Sequence, residues 1–122
     1  MNENRKRIGD KYEKLVADYL TEEGYEVREK NFRCKFGEVD IIARKDGYLV
    51  FVEVKYRSTA RYGSPQAAVD YRKQRRISDA ASFYLYRNHF PAGTPVRFDV
   101  AAVSGQNIEI IGNAFPYCGR FG

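Results

Sequence analysis

The sequence predicts an α/β fold, a mixed β-sheet of about five strands flanked by helices, in one domain spanning residues 1–122. Three observations predict it. Apolar residues recur at helical spacing near the start and again past the middle, two β-rich runs joined by Asp-Gly lie between those segments, and two further alternating runs close the chain. The order is therefore helix, three strands, helix, two strands, and the apolar face of the central hairpin needs a covering layer that amphipathic helices supply.

The first helix is expected from near Arg5 to Glu23, because Ile8, Tyr12, Leu15, Val16 and Tyr19 recur at i, i+4, i+7, i+8 and i+11; Gly24 ends it. At about 100° per residue, Glu13 falls on the flank of this stripe, beside Gly9, Val16 and Leu20, where it can lean over the sheet edge. The plainer alternative for Glu13 is a solvated helix glutamate. Tyr25 to Phe32 alternates weakly and is expected as the first strand, leading through the cationic Arg33-Cys34-Lys35-Phe36-Gly37 into the hairpin.

The hairpin pairs Gly37–Arg44 with Tyr48–Lys55 around Lys45-Asp46-Gly47, and Asp46 and Gly47 suit a type I′ turn because both tolerate positive φ. Facing residues then have numbers summing to 93, so Ile42 faces Phe51, Asp40 faces Glu53 and Glu38 faces Lys55. Val39, Ile41, Ala43, Val50, Val52 and Val54 share one apolar face, and Glu38, Asp40, Glu53 and Lys55 share the other. Carboxylates whose Cβ atoms stand about 5 Å apart repel, so one is protonated or a cation lies between them. Carboxylate oxygens with water are what Mg²⁺ prefers; an adjacent Lys55 would orient a water or stabilise a developing anion, with Glu38 as its orienting partner. Edge-strand charges that guard against aggregation are the structural alternative.

After Lys55 the chain turns polar, and Ser64 as N-cap with Pro65 as first residue predict a helical region reaching about Asn88, with a break at Asp70 as one option. Ile77, Ala80, Ala81, Tyr84 and Leu85 mark its buried stripe. Arg57, Arg61, Arg72, Lys73, Arg75 and Arg76 follow the acidic constellation, so a negative pocket is succeeded by a positive surface, as hydrolysis of a phosphodiester backbone requires. Arg33, Arg57, Lys73 and Arg76 are the candidate nucleic-acid contacts; a solvated helix face is their bland counterpart. Val96–Val103 and Asn107–Ile111 supply the last two strands. Asp99, lodged among apolar residues, is expected to partner an arginine or act as a cap, and the tail from Asn113 to Gly122 shows no recognisable feature.

The formal net charge of +5 suits a polyanionic partner, and 43% hydrophobic residues suffice for a core. No apolar run approaches the roughly 18 residues of a membrane span, and the start lacks a signal-like apolar stretch, so no membrane association and a cytoplasmic location are expected. Cys34, Cys118 and the single His89 support neither a zinc site nor a disulfide framework; both cysteines are expected reduced and His89 at the surface or a helix cap. A histidine general base, a serine or cysteine hydrolase and a phosphate-loop nucleotide fold are all disfavoured.

An acid on a first helix, an aspartate on one strand and Glu-x-Lys on the next resemble the PD-(D/E)xK nuclease superfamily, the restriction-endonuclease-like fold. More closely, the chain resembles the YraN family of predicted nucleases, similar to archaeal Holliday-junction resolvases. The matching stretches are Glu13-x-x-x-Ala17-x-Tyr19-Leu20, Gly24-Tyr25, Asn31-x-Arg33, Gly37-Glu38-Val39-Asp40-Ile41-Ile42, Phe51-Val52-Glu53-Val54-Lys55-x-Arg57, Lys73, Ala80-Ala81 and Arg97-Phe98-Asp99. Tyr12 departs from the glycine that relatives often carry there. The resemblance implies that Glu13, Asp40 and Glu53 hold Mg²⁺ or Mn²⁺, and that Lys55 positions or activates the attacking water. It implies an endonuclease acting on DNA, with branched or irregular DNA in repair or recombination as the substrate to test, and a homodimer for symmetric cutting. A catalytically silent nucleic-acid-binding module of the same fold is the alternative, and a purely structural edge-strand ion pair the third reading.

Overall fold

A computed structural model describes residues 2–56 and 69–119, with side chains from residue 11 onward. Helix α1 (Asn2–Glu22) is followed by β1 (Glu26–Cys34), β2 (Gly37–Lys45) and β3 (Tyr48–Tyr56), then α2 (Tyr71–Arg87), β4 (Val96–Ser104) and β5 (Asn107–Ile111). The strands form one sheet in the order β1-β2-β3-β4-β5. Neighbours are antiparallel except β3 and β4, which run parallel and so need a crossover; α2 lies within it. This is the mixed, helix-flanked sheet that the residue patterns predict.

The β2–β3 turn has φ 52° at Asp46 and φ 84° at Gly47, the left-handed pair of a type I′ hairpin. β1 runs on to Cys34, which pairs with Gly37, so Lys35 and Phe36 form the turn where a longer cationic loop is expected. Its alternation is weak for a physical reason: the β1–β2 register slips between Val27 and Glu29, and Asn31 adopts φ 57° inside the strand.

Among the described residues, each face of the sheet carries one helix. Val16, Ala17 and Leu20 of α1 are buried with Ile41, Ala43, Val50, Val52, Ala101 and Val103, whereas Ile77, Ala80, Ala81 and Tyr84 of α2 are buried with Phe32, Ile42, Leu49, Phe51, Phe98 and Val100. Val39 belongs to the α2 layer and not to the apolar face expected to hold it, because strict alternation along β2 breaks at Asp40.

Asp70 caps α2 by accepting from the Lys73 backbone N–H at 2.8 Å, which starts this helix where a break is the sequence's option; Ser64 and Pro65 lie outside the described residues. His89, exposed at φ 60°, follows the C-cap Asn88, and both cysteines are free. The tail is not featureless. Phe115 is buried against Phe98 with ring centroids 5.1 Å apart, and the Tyr117 and Ser82 hydroxyls are 2.8 Å apart, so this segment closes the α2 layer.

Asp99 is fully buried and partners an arginine. Its two oxygens accept from Arg97 Nε at 2.9 Å and Nη2 at 2.8 Å, from the Tyr25 hydroxyl at 2.9 Å and from the Asn113 N–H at 2.9 Å. Every acceptor position of a charge that water cannot reach is thereby used.

Candidate active site

The predicted register holds from the turn to Ile41–Val52, and there the β2–β3 ladder stops. Asp40 is the next residue. Its Oδ2 accepts from the Val54 backbone N–H at 2.8 Å, taking the place that a strand carbonyl would fill in a continued ladder. Opposed carboxylates repel, and an aspartate that reaches sideways to a backbone donor lets the strands part at that point.

Glu53 is 5% exposed on the α2 face of β3. Burial, followed by its hydrogen bond and charge interaction with Asp40, raises its pKa to about 8; the nearby Lys73 opposes that rise. The Lys73 ammonium stands 3.0 Å from Glu53 Oε2, an ion-pair distance, yet this buried oxygen has no directed hydrogen bond. Lys55, two residues along β3, is lowered below the ordinary lysine value, first by burial and then by the Lys73 charge. For Lys73 itself burial pulls downward, but the charges of Glu53 and Asp40 outweigh it and the net shift is upward. Two acids and two lysines thus share one half-enclosed place at the strand split.

That donor set fits a hard divalent ion. Glu53 Oε2 is a buried acceptor without a hydrogen bond, Asp40 is beside it, and Mg²⁺ is commonly held by one or two carboxylates with water and substrate oxygens completing its shell. Among the described residues no three His, Cys, Asp or Glu side chains converge closely enough to share an ion, so Glu13 does not make the pair a trio.

Glu13 is nonetheless tied to the same region. With its amide nitrogen facing α1, Asn31 donates to both carboxylate oxygens of Glu13. Asn31 stands between the pairs Lys30–Ile41 and Phe32–Val39, which puts it opposite Asp40 across the β1–β2 ladder. One residue earlier, Tyr12 stacks on Tyr56 at a centroid distance of 4.5 Å, holding α1 over the end of β3 where Lys55 lies.

The expected pairing of Glu38 with Lys55 is not what forms. Glu38 is opposite Arg33 on β1, and Arg33 Nε lies 3.1 Å from its Oε2; the β2–β3 register that would bring Lys55 across ends at Ile41. Glu38 therefore loses its role as the lysine's orienting partner, and Arg33 is engaged by Glu38 at the surface. Arg76 is exposed on α2, its backbone carbonyl close to Gly37, where an added Cβ would stand 3.1 Å from that oxygen. Arg57 lies outside the described residues.

Lys73, a candidate phosphate contact by sequence, stands beside Glu53. The signal for this place is in the helix phase. Lys73 precedes Ile77 by four residues, so it extends the Ile77, Ala81 stripe by one turn toward the sheet.

Comparison with known proteins gives one consistent result. A family model described as "Uncharacterised protein family UPF0102" matches residues 12–103. A UPF0102 protein of Lachnoclostridium phytofermentans is 47% identical over 116 residues, covering 95% of this chain and 98% of its own length. One from Syntrophus aciditrophicus is 49% identical over 113 residues, covering 89% and 88%, and one from Thermodesulfovibrio yellowstonii is 43% identical over 111 residues, covering 91% and 97%.

Proposed function

This chain belongs to the UPF0102 family, and from that membership together with the Asp40–Glu53 site we propose that it is a metal-dependent endonuclease hydrolysing DNA phosphodiester bonds. The observation that carries the reading is the buried Glu53 beside Asp40 at a split in the sheet, with an acceptor oxygen left without a hydrogen bond. A structural edge-strand pair does not account for it, since β3 lies in the interior of the sheet and Glu53 is buried.

Asp40 and Glu53 would hold Mg²⁺ or Mn²⁺, which when bound polarises a phosphate oxygen and lowers the pKa of its water. Asp40 is kept in place by the Val54 N–H, which anchors its Oδ2 beside Glu53. Lys55, its ammonium weakened by burial and by Lys73, lies where it orients a water or neutralises charge building on the phosphate. Glu13 acts at one remove, through Asn31, as a positioning residue for the Asp40 side of the site. Arg72, Arg75 and Arg76 are exposed on α2 and give the DNA backbone cations to rest on.

A second reading has one observation in its favour. Lys73 already neutralises Glu53, and a carboxylate so neutralised needs no metal, which suits a nucleic-acid-binding module without turnover. A manganese-dependent cleavage screen over duplex, single-stranded, flap and four-way DNA separates the two. The nuclease cuts at least one substrate, and Glu53→Gln abolishes cutting while retaining DNA binding; binding to DNA without cleavage of any substrate selects the module.

A further inference from the structure

Resting on the metal reading above, we propose that the Lys73 ammonium is the resident cation of the Asp40–Glu53 pair, and that a divalent ion binds by displacing it. The contact itself has the character of a placeholder. Lys73 Nζ sits 3.0 Å from Glu53 Oε2, yet that oxygen accepts no directed hydrogen bond, so the ammonium contributes charge and little geometry.

The two partners are also unequally held. The Glu53 side chain is 6% exposed and fixed in the interior, whereas that of Lys73 is 41% exposed, reaching in from solvent on a flexible stem. Withdrawing the ammonium would not disturb the helix, because Lys73 is tied by its backbone N–H to Asp70 Oδ1 at 2.8 Å. Its side chain is free to leave while its Cα stays.

Charge balance makes the exchange necessary. Once Glu53 has lost its proton, Lys55 and Lys73 are two positive charges acting on Glu53 and Asp40, two negative ones. Adding a divalent ion with both lysines in place sets four positive charges against two negative. In a poorly solvated site that excess is relieved most simply by the lysine that is least enclosed. Lys55, on the strand itself, stays for the chemistry.

The test measures metal binding and lysine position, not cleavage. Mn²⁺ affinity is determined by electron paramagnetic resonance on metal-free wild type and Lys73→Met, at about pH 9 so that a proton on Glu53 does not stand in for the lost ammonium. Lys73→Met binds Mn²⁺ about tenfold tighter. In wild type carrying ¹³C-labelled lysine, the Lys73 side-chain resonance moves toward that of a solvated lysine as Mg²⁺ is added, with the midpoint of metal binding. Should Lys73→Met fold poorly, Lys73→Gln and the resonance shift decide. Mn²⁺ affinity that is unchanged or weaker in the variant, with a Lys73 resonance indifferent to Mg²⁺, overturns the displacement and leaves the metal site standing. Failure of wild type and variant alike to bind Mn²⁺ overturns both.

Discussion

Glu53 sits where water cannot solvate a charge, and that decides how the metal-free protein responds to pH. Its folded pKa of about 8 lies above the ordinary glutamate value, so the folded state keeps a proton that the unfolded chain gives up. The stabilisation is complete below the unfolded pKa, near the ordinary glutamate value of 4.5, and is lost as pH rises through about 8. Asp40 on β2 and the ammonium groups of Lys73 and Lys55 are the charges that face it. Thermal unfolding in chelator should therefore show Glu53→Gln gaining on wild type as pH rises from about 5 to about 8, by on the order of 2 kcal/mol, and holding that gain above 8, with the two converging toward pH 5. A constant difference across that range would remove burial as the source of the shift. Asp40 and Glu53 are legible from the hairpin because the two-residue turn fixes the register up to Ile41–Val52, one residue short of both. Glu38 was misread because the same register was extended past Ile41, where the opposed acids end the ladder.

At the scale of elements, the site depends on α2 being started in the right phase. Asp70 accepts the Lys73 N–H and so sets which face of the first turn meets β3. Asp70→Ala should cost about 1 kcal/mol of stability, read as a fall in Tm, and should loosen the Lys73–Glu53 contact without touching either side chain. A Tm within error of wild type would show that the Asp70 cap does not set the start of the helix. The strand and helix order was legible from periodicity alone. Hidden from it were the irregularities in β1: a register slip and a left-handed asparagine have no alternation signature, although they are what turn Asn31 toward Glu13. The tail was equally opaque, since Phe115 and Tyr117 are two aromatics whose burial depends on α2 and β4 lying beneath them.

Across the whole molecule, charge is segregated in a way that composition does not disclose. The buried charge of Asp99 is spent internally, on Arg97, Tyr25 and Asn113, binding together the α1–β1 connection, β4 and the chain beyond β5. Much of the net +5 is left to the surface, where Arg72, Arg75 and Arg76 line α2 on the side of the sheet that holds Glu53. Arg33 is paired with Glu38, but both side chains are more than half exposed, so the pair contributes little and a phosphate can replace the carboxylate. If DNA lies across this face, each neutralised phosphate adds about 0.9 to the magnitude of the slope of log affinity against log salt. Arg76→Gln should weaken binding to all sequences alike and reduce that slope by about 1, while changing stability by less than about 0.5 kcal/mol because its side chain is exposed. Fluorescence anisotropy over a salt series measures it. An unchanged slope would take the DNA off the α2 face, and with it the approach by which a phosphate reaches Asp40 and Glu53 from the Lys73 side.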